Sequence, residues 1–202
     1  MLMQDGRPKS FEFFDRPHLT VARDLVGCTL LWDNVGGVVV ETEGYAVEDD
    51  PACHTAFRPS TRLFVATHLP GAVYVTINYG LHWLLNVLAS DGIVLIRAIQ
   101  RTAGIETMAA RRNQTRETAL CSGPGKLGQA LSLSPADHGS SLLTADRYVI
   151  SRDALFDSSR IVADVRVGLS RAVDRPWRFL LSDNRDVSVP HGRALKRTRK
   201  NG

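Results

Sequence analysis

Cys28 to Tyr45 reads CTLLWDNVGGVVVETEGY. Two apolar runs rich in β-branched residues, CTLLW and GGVVVETEGY, are joined by Asp33-Asn34-Val35-Gly36-Gly37, and together they predict a strand, turn, strand hairpin. Side chains alternate along a strand, so Glu41 and Glu43, two apart at the end of the second run, share one face. Upstream, LTVARDLV (19–26) places Leu19, Ala22 and Val26 on one side of a short amphipathic helix, with Thr20 and Asp24 on the other. Downstream, Ala46 to Leu69 contains Pro51 and Pro59, is followed by Pro70 and has no sustained period. It predicts a long irregular connection, of the kind that usually carries function in a compact domain.

Further along, GAVYVTINYG (71–80) predicts a strand, and LHWLLNVLA (81–89) fits either its continuation or the start of a helix. IVLIRAI (93–99) is a buried strand interrupted by Arg97, and a buried guanidinium needs an anionic partner. Ile105 to Arg116 has helical spacing and a basic end. CSGPGKLGQAL (121–131) begins with glycine and proline and turns helical, bringing backbone N–H groups and Lys126 to a helix start, without the spacing of a nucleotide P-loop. Short strands follow around YVISR, RIVADVRVGL and WRFLLS. The fold class is α+β: one compact mixed domain over residues 11–188, with a mainly antiparallel sheet flanked by helices. Residues 1–10 are expected to be disordered, as is a basic tail at 189–202.

A chain of 202 residues is long enough for one sizeable core and short for two, and 44% hydrophobic with 23% charged residues is ordinary for a soluble globular protein. No run approaches the roughly 18 apolar residues that span a bilayer, and the N-terminus lacks the order of a secretory signal, so no membrane association and a cytoplasmic location are expected. Cys28, Cys53 and Cys121 are odd in number and far apart, which suits reduced thiols and lacks zinc spacing even with His54 beside Cys53. The net charge of +4 is uneven. Residues 1–100 carry 7 Lys/Arg against 11 Asp/Glu, and residues 101–202 carry 18 against 10. That asymmetry suits either a polyanion held by the second half or a solvated surface.

VETEGYAVEDDPACH, from Val40 to His54, resembles the active-site strand and loop of the alkyladenine (3-methyladenine) DNA glycosylase family. PGAVYVTINYGLHWLLNV, GIVLIRAI, GIETMAARR, LCSGPGKLGQAL and VGLSRAVDRPWRF agree with the family in order, and the resemblance runs from about Phe14 to Asn184. It implies a curved sheet like that of a formyltransferase C-terminal domain, no metal or organic cofactor, a monomer, and double-stranded DNA containing damaged purines as partner. It implies that a nucleotide is flipped into a pocket and its N-glycosidic bond hydrolysed. By position, Glu43 matches the glutamate that activates water, with Arg97 beside it as the second catalytic residue. Tyr45 matches the aromatic that stacks on the flipped base, His54 the contact at the base edge, and Asn86 the side chain that crowds the amino group of guanine. Leu95 falls among the base-contacting positions. Tyr79 matches the wedge inserted into the duplex, and Arg112 and Lys126 fall among positions facing the phosphate backbone. Where many relatives have a second stacking tyrosine, this chain has Thr76, and base stacking is worth roughly 1–3 kcal/mol.

The resemblance implies a monofunctional enzyme that leaves an abasic site, with 3-methyladenine, 7-methylguanine, hypoxanthine and ethenoadenine as candidate lesions. Without it, Glu41 and Glu43 would read as a solvated strand face, Tyr45 and Tyr79 as core or rim aromatics, and His54 as a structural histidine. A non-catalytic damage-binding protein is the rival from another class; it would keep the basic half and the pocket and dispense with Glu43. A nuclease would need a metal-binding carboxylate cluster, and Glu48, Asp49 and Asp50 are adjacent in a loop, a pattern typical of a solvated run.

Overall fold

In a computed structural model that describes residues 7–78 and 80–194, the hairpin forms as β1 (Thr29–Trp32) and β2 (Val35–Ala46). Asp33 and Asn34 alone make the turn, at φ of 46° and 69°. Two consecutive left-handed residues match the twist of the flanking strands, and Asp and Asn tolerate that region best among side chains with a Cβ. Val35 to Gly37, expected in the turn, therefore already belong to β2.

The other strands are β3 (Val73–Asn78), β4 (His82–Leu88), β5 (Gly92–Ala103), β6 (Arg147–Ile150), β7 (Ile161–Asp164) and β8 (Arg178–Leu181). They form one sheet in the order β3-β4-β5-β2-β1-β6, with β8 pairing both β2 and β7, and every pairing is antiparallel. The 81–89 segment, open between strand and helix in sequence, is a strand because β3 and β5 both pair with it.

Strand β2 is where the sheet branches. Its first half pairs β1, from Val35 to Val38, and its second half pairs β8, from Glu41 to Glu43, while β5 runs along its other edge. Between these halves the register moves from Val39↔Ile99 to Glu41↔Ala98 to Thr42↔Ile96, which leaves Val40 and Arg97 as bulged positions. Such bulges bend a strand and re-aim its side chains.

Helices cover the two faces. α1 (Phe11–Phe14) leads into α2 (His18–Leu25), which lies across β2 and β5. Its buried residues are His18, Val21, Ala22 and Leu25, a stripe rotated from the predicted Leu19, Ala22, Val26, because the helix ends at Leu25 and Val26 is extended. The Thr42 hydroxyl donates to the Ala22 carbonyl at 2.7 Å, so Thr42 faces α2 and Glu41 and Glu43 face away from it. The 46–69 connection is more ordered than expected: it contains a short 3-10 turn, His54–Ala56, and the nine-residue α3 (Pro59–Thr67). Pro59, read as a breaker, occupies the first turn of that helix, where its missing N–H has no consequence. α4 (Ile105–Arg112) stops short of Arg116 because Asn113 turns left-handed at φ 44°. α5 (Pro124–Ala130) packs on β4.

Residues 1–6 and 195–202, most of the two expected tails, lie outside the described residues. Within the described parts, Lys9 N–H donates to the Val149 carbonyl, and Val189 and Ala194 are buried. No described helix is long and apolar enough to cross a membrane.

The approach of α5 to β4 depends on Gly128, where a Cβ would stand 1.9 Å from the Trp83 carbonyl oxygen. Alanine would gain up to ~1 kcal/mol of helix propensity, whereas forcing a methyl against fixed backbone costs about 3 kcal/mol. Gly128→Ala is therefore expected to lose about 2 kcal/mol, read as a lower urea midpoint at unchanged slope.

Candidate active site

The face of β2 turned away from α2 carries Glu41, Glu43 and Tyr45, and β5 sets Arg97 and Leu95 beside them. Both glutamates are fully buried. The Arg97 guanidinium lies between them: Nε donates to Glu41 Oε1 at 3.0 Å and Nη1 is 3.2 Å from Glu43 Oε2. The anionic partner that a buried arginine requires is thus a pair of carboxylates.

Their surroundings differ. Glu41 also accepts from Arg178 Nη1 at 2.9 Å and from the Ser188 hydroxyl and N–H at 2.9 and 2.5 Å. Burial alone would raise its pKa; Arg97, Arg178 and the Ser188 N–H outweigh that and hold it below the usual carboxylate value. Arg178 is itself fully buried and bonds Asp164 and the Val165 and Val189 carbonyls. Glu43 accepts from the Val167 N–H at 2.7 Å through Oε1 and from the Tyr45 hydroxyl at 2.7 Å through Oε2. Burial, and then the Glu43 carboxylate, push the Tyr45 pKa well up, so Tyr45 stays a donor to Glu43.

A cavity of about 780 Å³ opens against this group. Of the sequence-predicted base-contacting residues, Tyr45, His54, Thr76, Asn86 and Leu95 all line it, and so does Arg97. Glu43 sits directly behind the wall, held by two residues that do line it, Tyr45 and Arg97. His54 contacts the Tyr74 hydroxyl through Nδ1 at 3.2 Å, and that hydroxyl shares a 2.6 Å hydrogen bond with Thr61. Burial, aided by the Arg58 charge, lowers the His54 pKa to about 4, so its ring is neutral near pH 7. The Asn86 amide nitrogen donates to the Tyr74 carbonyl at 2.8 Å and to Thr76 Oγ1 at 3.3 Å. A carbonyl only accepts, so the amide nitrogen faces β3 and Thr76 helps hold it there.

Tyr79 lies outside the described residues. Arg112 and Lys126 are on α4 and α5, which pack together; α5 meets the cavity at Pro124, and neither Arg112 nor Lys126 lines it. Arg112 donates to Gln129 Oε1 at 2.8 Å, and exposed Lys126 donates to the Ser122 hydroxyl at 3.2 Å. The acidic run needs correction: Glu48 and Asp49 are exposed, whereas Asp50 is buried and bonds both terminal nitrogens of Arg166. A single carboxylate beside two exposed ones carries no periodic sign of burial, and its partner lies 116 residues away. Tyr74, Arg166, Arg178 and Ser188 also escaped the sequence reading. For Tyr74 a signal existed, since it shares a strand face with Thr76.

The methylpurine-DNA glycosylase family model matches residues 12–185. A Rhodopseudomonas palustris (strain HaA2) protein named "Putative 3-methyladenine DNA glycosylase" is 44% identical over 189 residues, covering 92% of each chain. Proteins of the same name from Granulibacter bethesdensis and Rhizobium meliloti are 41% and 40% identical, covering 87% and 88% of this chain and 85% and 94% of their own.

Two expectations follow from the charges. Glu41→Gln leaves the Arg97 and Arg178 guanidiniums short of a buried counter-charge, so unfolding free energy is expected to drop by about 3 kcal/mol, measured by urea titration. The unfolded chain takes up a proton at His54 near pH 6.5, whereas the folded protein does so only near 4. Stability must fall as pH drops through that window, because the unfolded state binds more protons there. Burial gives His138 the same direction, and Glu41 adds to it below its ordinary value of 4.5. The wild type is expected to lose more urea resistance between about pH 7 and about pH 5 than His54→Gln does; equal losses would show that His54 does not titrate in this way.

Proposed function

Because the chain belongs to the methylpurine-DNA glycosylase family, and is thus a DNA glycosylase of repair, we propose that it flips alkylated or deaminated purines into the 780 Å³ cavity and hydrolyses their N-glycosidic bond with water activated by Glu43. The observation that carries this reading is the junction of Glu43, Arg97 and Tyr45 at the cavity wall. Base stacking shields the sugar bond in a duplex, so extrusion is required and costs a few kcal/mol, least for damaged or mispaired bases. Tyr45 supplies a ring for the extruded base, and neutral His54 and Asn86 supply polar edges.

Cleavage breaks the bond between the sugar C1′ and the purine nitrogen, with the electron pair leaving on the base and positive charge developing on the sugar. Water entering between Tyr45 and Arg97 adds its oxygen to C1′ and gives its proton to Glu43. The carboxylate also favours the developing sugar cation. Arg97 keeps Glu43 oriented, and Tyr45 O–H and Val167 N–H donate to its two oxygens and fix the carboxylate plane. An alkylated purine leaves readily because it already carries positive charge. Hypoxanthine is neutral and requires a proton, which solvent can deliver. No amine is assigned as a Schiff-base nucleophile, so the product is an intact strand with an abasic site. The protein acts as a monomer on double-stranded DNA.

The test uses labelled duplexes, each carrying one hypoxanthine, ethenoadenine or 3-methyladenine, incubated in EDTA and then treated with alkali. Strand scission only after alkali is the expected result. Glu43→Gln should retain lesion binding while excision falls by ~10²–10⁴. Undiminished excision would assign water activation to another residue. Lesions that stay intact with wild-type protein while gel shifts persist would favour damage binding without chemistry.

A further inference from the structure

Behind Tyr45, on no wall of the cavity, lies a second arginine. The Arg166 and Asp50 side chains are both fully buried, with Nη1 2.5 Å from Asp50 Oδ2 and Nη2 2.9 Å from Oδ1. Nη1 also donates to the Gly44 carbonyl at 3.0 Å. The guanidinium carbon is 4.6 Å from the centroid of the Tyr45 ring and 5.0 Å from that of Trp177. Arg166 Nε is buried without a hydrogen-bond partner among the described residues. Leaving a buried donor unsatisfied costs about 1–3 kcal/mol, so the bonds of the two terminal nitrogens and the ring contacts fix where this guanidinium sits.

Three segments meet at this one side chain. Asp50 precedes Ala52, Cys53 and His54 on one wall of the cavity. Val167, whose N–H bonds Glu43, and Gly168 follow Arg166 directly on another. Gly44 lies on β2 between Glu43 and Tyr45. Arg175, 4.5 Å from the Trp177 ring, adds a bond to the Asp49 carbonyl at 2.7 Å, which holds the acidic loop a second time. A bidentate arginine–carboxylate pair fixes a plane as well as a distance, and lysine reproduces neither.

We propose that Arg166, bolted by Asp50 and contacting Tyr45 and Trp177 with its guanidinium, is a positioning residue of the reaction: it fixes the Tyr45 ring and the Val167 N–H, and through them the Glu43 carboxylate. The proposal rests on the glycosylase reading above. Displacing reacting groups by even an ångström costs about 10²-fold in rate, so loosening this bolt should slow the chemical step even under conditions where the variant remains folded.

The experiment measures single-turnover excision with full-length protein well below each variant's melting temperature, alongside binding to undamaged duplex. Trp177 is only partly buried, so its variants test the device with little risk to folding. Trp177→Leu is expected to excise at least about tenfold slower, Trp177→Phe to recover most of the wild-type rate, and Arg166→Lys to fall by about 10²-fold. Undamaged-duplex affinity should stay within about twofold throughout. Arg147→Met removes ion pairs to Asp33 and Asp137 on the strand at the far edge of the sheet; it controls for destabilisation and should leave the rate unchanged. Folded Trp177→Leu excising at the wild-type rate overturns the proposal, as does a rate that falls only in proportion to lost folded protein. A wild-type protein that excises no lesion instead overturns the glycosylase reading on which the proposal stands.

Discussion

Four charged side chains, Glu41, Glu43, Arg97 and Arg178, are packed out of water between β2, β5 and β8. Each would cost several kcal/mol to bury alone. Together the two arginines offset the two glutamates, with Asp164 a further anion on Arg178, and Ser188, Tyr45 and Val167 supply additional hydrogen bonds. The branching of the sheet follows from this balance. Strand β8 must reach Glu41 to deliver Arg178, so β2 gives up pairing with β1 halfway along and takes β8 as its new neighbour. The bulge that leaves Arg97 out of register is the other half of the same solution, since regular pairing would not set one guanidinium between residues 41 and 43.

Two glutamates on one strand face receive different chemistry from their neighbours. Glu41 is enclosed by Arg97, Arg178 and Ser188, all of which favour its anion, and of these only Arg97 reaches the cavity wall among the described residues. Glu43 is held by Tyr45 and Arg97, which border open volume, and by a loop N–H from Val167, which borders it too. On the proposed reading, a structural carboxylate and a reactive one thus sit two residues apart. Arg97 couples them, because it takes its position from Glu41 and passes it to Glu43.

Much of this was legible in the sequence, and the remainder has physical reasons for being hidden. Alternation and turn residues disclosed the hairpin, and an arginine inside an apolar strand announced an acidic partner without saying which. Proline at 59 concealed α3, since the same residue stops one helix and starts another. The phase of α2 shifted because its C-terminal boundary, not its composition, decides which stripe meets the sheet. Residues lining the cavity were found through family resemblance; their periodicity alone would have left them in the core. Asp50, Arg166, Arg178 and Ser188 stayed invisible because their roles come from pairings across more than 90 residues of chain, to which no local pattern is sensitive.

The cavity's charge has a bearing on what it can select. Among the described residues that line it, Arg97 is the one with a formal charge, and two glutamates already compensate it. His54 is neutral, and Thr76, Asn86 and Tyr74 are polar without charge. On the proposed reading, a cationic alkylpurine and a neutral hypoxanthine thus meet nearly the same electrostatic environment inside. On the same reading Tyr45, His54 and Tyr74 are the rings available for stacking, and stacking on a ring distinguishes planar bases weakly. Beyond what Asn86 excludes at the base edge, selectivity then draws on two other steps: how readily a base leaves the duplex, and how readily it leaves the sugar. Both are properties of the lesion, so a cavity of this composition suits an enzyme that accepts several damaged purines and relies on the damage itself to tell them from intact ones.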